Sequence, residues 1–235
     1  MSNIETVSCA VESISPLTEN VYRILLKPET SCRFIAGQYI CVKMGTTDLR
    51  PFSIASSPSE NEYIELHVGA TPDNPYAWEV LKKAREEQVL TISLPQGEAG
   101  YRASSRDLLL VAGGTGFSYA WSIAQAHLET SESRKIVFYW GAKQLSDLYA
   151  YAELKKLAER DARFDFRPVV EQAEADWKGR TGWVHQAVMN DFDTLADFDI
   201  YIAGRFEMVK TARDDFYRKG LPNTQLFGDA LSFID

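Results

Sequence analysis

The chain has 235 residues, 45% of them hydrophobic and 25% charged, with a formal net charge of −8. That length suits two small domains and can bury enough apolar surface to fold without disulfides or metals. The acidic balance disfavours loose binding to nucleic acid or anionic lipid, and no apolar run approaches the ~18 residues of a membrane helix.

Cys9, Cys32 and Cys41 form no Cys-x-x-Cys pair, and three thiols cannot all pair within one chain. Zinc and iron–sulfur sites built from thiolates normally want four ligands. The cysteines therefore read as small buried hydrophobes in a reducing cytosol. His67, His127 and His185 show no metal spacing, so no metal is expected. The N-terminus, Met1-Ser2-Asn3-Ile4-Glu5, lacks the basic and apolar regions of a signal peptide. A cytoplasmic protein is expected, with no nucleic acid and no membrane among its partners.

Up to about residue 105 the chain shows short β-like runs: Thr6 to Ile14, Val21 to Lys27, Tyr39 to Met44, Phe52 to Ala55, Tyr63 to Val68 and Val89 to Leu94. Gly37-Gln38, Gly45-Thr46 and Pro58-Ser59 punctuate them. One helix interrupts, with Asn74 as N-cap, Pro75 at the first helical position and Ala77 to Lys83 following. This spacing predicts an antiparallel β-barrel over residues 1–104. The rhythm then becomes strand, helix, strand, helix. Leu108 to Ala112, Lys135 to Trp140, Phe164 to Val170, Asp199 to Ala203 and Gln225 to Phe227 are the strands. Helical segments follow Phe117, Ala150, Val184 and Phe206. The alternation predicts a Rossmann-like, doubly wound parallel sheet over residues 105–235.

Ala112-Gly113-Gly114-Thr115-Gly116-Phe117 joins a strand to a helix. Glycines let backbone approach a ligand, and the helix N-terminus favours an anion such as a pyrophosphate. A tight strand–helix turn explains the same residues. Ala203-Gly204-Arg205-Phe206-Glu207-Met208 is a second such turn, so Gly113 and Gly204 are expected at one crevice. Strand two ends Trp140-Gly141-Ala142-Lys143 without the acid that selects NAD. Lys143 either tolerates a 2′-phosphate or is a solvated loop charge. NADPH is expected, with NADH not excluded. In the first half, Leu49-Arg50-Pro51-Phe52-Ser53-Ile54 offers Arg50 as an anion or ring partner and Ser53 as a hydroxyl donor. Alone, a surface arginine and an ordinary strand serine fit equally.

R-P-F-S at Arg50 to Ser53, H-V-G at His67-Val68-Gly69, A-G-G-T-G, A-G-R-F-E-M and a terminal F-G-D-A occur in order. This set resembles the ferredoxin–NADP reductase superfamily, and within it the bacterial NAD(P)H:flavin oxidoreductases of the Fre and LuxG type. The resemblance implies a flavin-binding barrel followed by a nicotinamide-binding domain. It implies that Arg50, Pro51, Phe52, Ser53 and Ile54 line the isoalloxazine ring, with the Ser53 hydroxyl near flavin N5. Backbone at His67, Val68 and Gly69 would border the ring's pyrimidine end, with His67 itself structural. Gly113, Gly114, Thr115, Gly116 and Phe117, with Gly204, Arg205 and Met208, would hold NADPH or NADH. Asp229 would close over the site as a second catalytic residue, or be a plain loop carboxylate.

Gly69 to Pro75 lacks the adenine-side motif that goes with tightly held FAD in the superfamily, and Ala203 replaces a common cysteine. The flavin (FMN, riboflavin or FAD) is therefore expected as a loosely bound cofactor or substrate. The chemistry implied is hydride transfer from NAD(P)H to flavin, releasing reduced flavin. Flavin-using oxygenases such as a luciferase are then possible consumers. Two alternatives stand beside it: an electron-transfer reductase component with bound flavin for a protein partner, and a flavin- or nucleotide-binding module without turnover.

Overall fold

The structure is a computed structural model that describes residues 5–234. It divides into two compact units. The first takes the chain up to Tyr101 together with Trp121–Ala126, and the second takes Arg102–Ala120 and the chain from His127 onward.

Strands β1 (Thr6–Pro16), β2 (Val21–Pro28), β3 (Tyr39–Lys43), β4 (Leu49–Ser53), β5 (Ile64–Gly69) and β6 (Val89–Ser93) form an antiparallel sheet in the order β4-β3-β6-β1-β2-β5. Its two ends meet. Ile54 bridges Leu66, and the Ala55 N–H donates to Glu65 O at 2.8 Å, which closes the sheet into a barrel. Ile24, Leu26, Ile40, Val42, Ile54, Leu66 and Ile92 fill it and are fully buried. Helix α1 (Pro75–Glu87) adds Ala77, Val80, Leu81 and Ala84 to this core, the i, i+3, i+4, i+7 stripe of an amphipathic helix.

Two local expectations are corrected here. Asn74 does sit before Pro75, but its side chain makes no capping hydrogen bond, so Pro75 with its preset φ is what starts the helix. The strand expected from Phe52 to Ala55 starts at Leu49 instead. Pro51 suggested a later start, yet β4 pairs along its length with β3 alone, and a proline is tolerated where one edge needs no N–H. Cys9 and Cys41 are buried and Cys32 half-buried, and burial pushes the Cys9 thiol up to about 12.

In the second unit a parallel sheet runs β10-β9-β8-β7-β11-β12. Its strands are β7 (Asp107–Gly113), β8 (Ile136–Ala142), β9 (Phe164–Val170), β10 (Arg180–Thr181), β11 (Phe198–Ala203) and β12 (Leu226–Phe227). Helices α2 (Phe117–Leu128), α3 (Tyr151–Arg160), α4 (Val184–Asp191) and α5 (Phe206–Arg218) alternate with them. From β7 the chain winds outward through β8 and β9 to β10, then returns to lay β11 on the other side of β7. That reversal is the switch point at which open α/β sheets bind ligands. Leu108 to Ala112 is buried throughout, as a strand covered on both faces must be. Among the described residues no helix is long and apolar enough to cross a membrane.

Candidate active site

In the barrel, the Ile54–Leu66 bridge sets the R-P-F-S strand beside the H-V-G strand. Along β4 the two-residue period puts Arg50, Phe52 and Ile54 on one face and Pro51 and Ser53 on the other. Ile54 is fully buried and Phe52 packs partly against the core, while Pro51 is exposed. Ser53 ends the strand half-buried, opposite Tyr39, and its hydroxyl makes no hydrogen bond to another described residue. On β5, Leu66 and Val68 point into the core. His67 and Gly69 therefore take the opposite face.

His67 belongs to a polar chain. Its Nε2 lies 2.8 Å from Glu65 Oε1, and Arg23 Nη2 donates to Glu65 Oε2 at 2.5 Å. Burial opposes ionisation of Glu65, but the bonds from His67 and Arg23 outweigh it and hold the carboxyl down at about 2, against an ordinary 4.5. The lowered pKa adds stability that is full above pH 4.5 and drains as pH falls toward 2. Between pH 5 and pH 3 the parent is expected to lose on the order of 2 kcal/mol more than Glu65→Gln. Urea denaturation at the two pH values measures this, and parallel losses would count against it. His67 accordingly has a structural partner, as expected.

Arg50 is buried, and its guanidinium is fully engaged. Nε donates to Asp48 Oδ1 at 3.0 Å, Nη2 to Asp48 Oδ2 and Glu79 Oε2 at 2.7 Å each, and Nη1 to Tyr76 O at 2.5 Å. The guanidinium also lies 5.0 Å from the Tyr76 ring centroid. It ties β4 to the start of α1.

In the second unit the two glycine turns sit at the carboxyl ends of neighbouring strands, with Ala112 paired to Ala203. Backbone packs on backbone there. A Cβ on Gly116 would lie 2.4 Å from Ala203 O, and one on Gly204 would lie 3.4 Å from Gly113 Cα. Met208 lies across both turns, where a Cβ on Gly113 would meet its Sδ at 2.6 Å and a Cβ on Gly204 its Cε at 2.6 Å. Gly113, Gly116, Gly204 and Met208 are thus demanded by turn-on-turn packing. Gly114 differs: its φ is +54°, and a Cβ there would meet nothing within 4 Å. Gly114, Thr115 and Arg205 are exposed, so the two turns offer open backbone to a ligand.

The expected contact from Phe117 is corrected. Its ring is buried and stacks on Trp140 at 4.1 Å, with Tyr149 edge-on at 5.4 Å. Its N–H closes the Gly114–Gly116 turn. Trp140 also fixes the turn, donating from Nε1 to Gly114 O at 2.9 Å. Asp229 opens the last 3-10 segment, half-buried. Burial first, and then the Asp229 carboxylate, hold the Tyr119 phenol well above its usual range. Gly228 before it packs on β11, since a Cβ there would lie 2.4 Å from Ile202 O.

An oxidoreductase FAD-binding domain matches residues 8–101, and an oxidoreductase NAD-binding domain matches residues 110–214. A Vibrio harveyi NAD(P)H-flavin reductase is 47% identical over 97% of this chain and 100% of its own length. An Aliivibrio fischeri NAD(P)H-flavin reductase is 48% identical over 97% of this chain and 99% of its own. The chain belongs to the NAD(P)H-flavin reductases. Solved structures share the fold at low identity. An Amycolatopsis cytochrome P450 reductase superposes with a TM-score of 0.86 at 23% identity, covering 97% of this chain and 70% of that one. The ferredoxin reductase of carbazole 1,9a-dioxygenase gives 0.83 at 22%, covering 96% and 69%. In this flavin reductase, Arg23, Glu65, Asp48, Glu79 and Trp140 were not among the expected site residues. Only the aspartate two residues before Arg50 was a signal in sequence; the others come together through strand register and the α1 packing.

Proposed function

We propose that this flavin reductase acts on free flavin, taking a hydride from NADPH or NADH and releasing reduced riboflavin, FMN or FAD. The observation that carries this is the half-buried Ser53 hydroxyl, which spends no hydrogen bond on the described chain and lies at the bridge to the H-V-G strand. A hydroxyl held in this way can donate to a flavin nitrogen as charge develops there. The nicotinamide and the flavin supply the redox chemistry; the chain's part is to bind and orient them. The exposed backbone at Gly114 and Thr115 suits a dinucleotide pyrophosphate. Use of flavin as substrate, not as resident group, is supported by the link from β5 to α1. It is a five-residue turn closed by the Asn74 N–H to Thr71 O at 2.9 Å, with no loop to cover an adenine.

Steady-state oxidation of NADPH and NADH with each flavin tests this, beside gel filtration of the purified protein. Turnover and a colourless peak are expected. No oxidation with any flavin, or a protein that stays yellow, would sink it. NADPH is the proposed preference. Lys143 is exposed just past β8, while the carboxylate of Asp147 is spent on the Gln144 N–H at 3.0 Å. Lys143→Ala should raise KM for NADPH about tenfold, the worth of a charge-assisted hydrogen bond, and leave KM for NADH alone. Equal effects on both would assign Lys143 to the solvent. A cytoplasmic setting and a flavin-using oxygenase, such as a luciferase, as consumer of the reduced flavin complete the proposal.

A further inference from the structure

The guanidinium of Arg50 has five N–H donors. Asp48 and Glu79 take those on Nε and Nη2, at 2.7–3.0 Å, and the Tyr76 and Pro75 carbonyls take those on Nη1, at 2.5 and 3.5 Å. None is left for an incoming anion. Two carboxylates surround the one cation, so the cluster is net negative. Its acids are partly exposed, at 44% for Asp48 and 51% for Glu79, whereas the Arg50 side chain is 10% exposed. A phosphate approaching from solvent meets the carboxylates before the guanidinium.

The position matters because of β4. Arg50 lies three residues before Ser53, about 10 Å along a strand. A ribityl chain laid back along β4 from a ring at Ser53 ends level with Arg50. That end of the flavin is where riboflavin has a hydroxyl and FMN a phosphate. The one arginine of the R-P-F-S strand is thus at the right level but already neutralised by its own fold.

We propose that Asp48 and Glu79 set flavin specificity: by occupying Arg50 they deny it to a phosphate, so that riboflavin binds at least as tightly as FMN. The inference rests on the flavin-reductase function proposed above and names the substrate form within it. Stacking and hydrogen bonding of the ring carry the affinity, and the phosphate adds nothing or repels. Arg50 serves as a staple between β4 and α1.

Flavin binding is read directly, by quenching of flavin fluorescence with riboflavin and with FMN, and turnover is followed with NADPH. On the unmodified protein the ratio Kd(FMN)/Kd(riboflavin) is expected at 1 or above. The double variant D48N/E79Q keeps both side-chain shapes and removes both charges. There the ratio should fall about tenfold, since each unit charge within several ångströms of the phosphate contributes at that scale. The single variants D48N and E79Q should fall between. An unmodified protein that binds FMN more than tenfold tighter than riboflavin overturns the proposal without any variant. So does a ratio that stays fixed across all three variants while turnover persists. Absence of turnover with every flavin is a different failure, that of the flavin-reductase function itself.

Discussion

Ser53→Ala is expected to lower kcat for flavin reduction by about a hundredfold, the scale of removing one preorganised donor from a developing charge. Flavin Kd should move only a few-fold, because a hydroxyl that acts as charge develops contributes little to ground-state binding. Ser56→Ala is the contrast. Its Oγ accepts the Glu65 N–H at 3.2 Å and its carbonyl accepts from Ser122 Oγ at 2.8 Å, so it is a buried structural residue. Its loss should appear in stability and leave kcat within a few-fold. Ser53→Thr keeps the donor and should restore part of the rate if the added methyl is accommodated. Stopped-flow reduction of flavin by NADPH separates the steps. Equal rates for Ser53→Ala and Ser56→Ala would show that the R-P-F-S strand presents a different residue to the flavin.

Ser53 itself was legible in sequence, and so was its neighbourhood, because R-P-F-S and H-V-G carry the resemblance and β-strand periodicity places them. Both units of the fold were equally legible. Their rhythms differ, alternation of short strands against alternation of strand and helix, and each survives as a sheet of the expected type. Harder to see was the service each residue performs. Gly113, Gly204 and Met208 read as ligand contacts, yet all three are demanded by two turns packing together. Sequence cannot separate those causes, since both need a glycine at a strand end. Phe117 sits inside a glycine motif but turns its ring to Trp140, a partner on β8 that only the tertiary packing supplies. Arg50 was read as an anion partner, and the acids that occupy it include Glu79, 29 residues away on α1. β10, two residues long and unmarked by any apolar run, exists only because β9 offers an edge at Val169 and Val170.

Gly116→Ala should be the most damaging small substitution in the second unit. Its Cβ would sit 2.4 Å from Ala203 O, 2.6 Å from Ala203 C and 3.0 Å from Gly204 N. All three are backbone atoms at the end of β11, so no side chain can swing away. Either the Gly114–Gly116 turn lifts off β11 or β11 bends. Overpacking of this kind costs about 3 kcal/mol. In a chain of this size that is a fall in Tm of roughly 6–12 °C. Gly114→Ala isolates the other way a glycine can matter. Space there is open, and only the φ of +54° is strained, so the cost should be about 1 kcal/mol. The two variants should also part in function. Moving one turn relative to the other disturbs backbone offered to the dinucleotide, so Gly116→Ala should raise KM for NADPH severalfold while leaving flavin Kd unchanged. Gly114→Ala adds a methyl on the open side, where the dinucleotide would approach. It should raise the same KM with little loss of Tm. Thermal unfolding and NADPH titration of both variants decide the matter. A Gly116→Ala protein as stable as its parent would mean that the turns are not held together as tightly as their backbone contacts require.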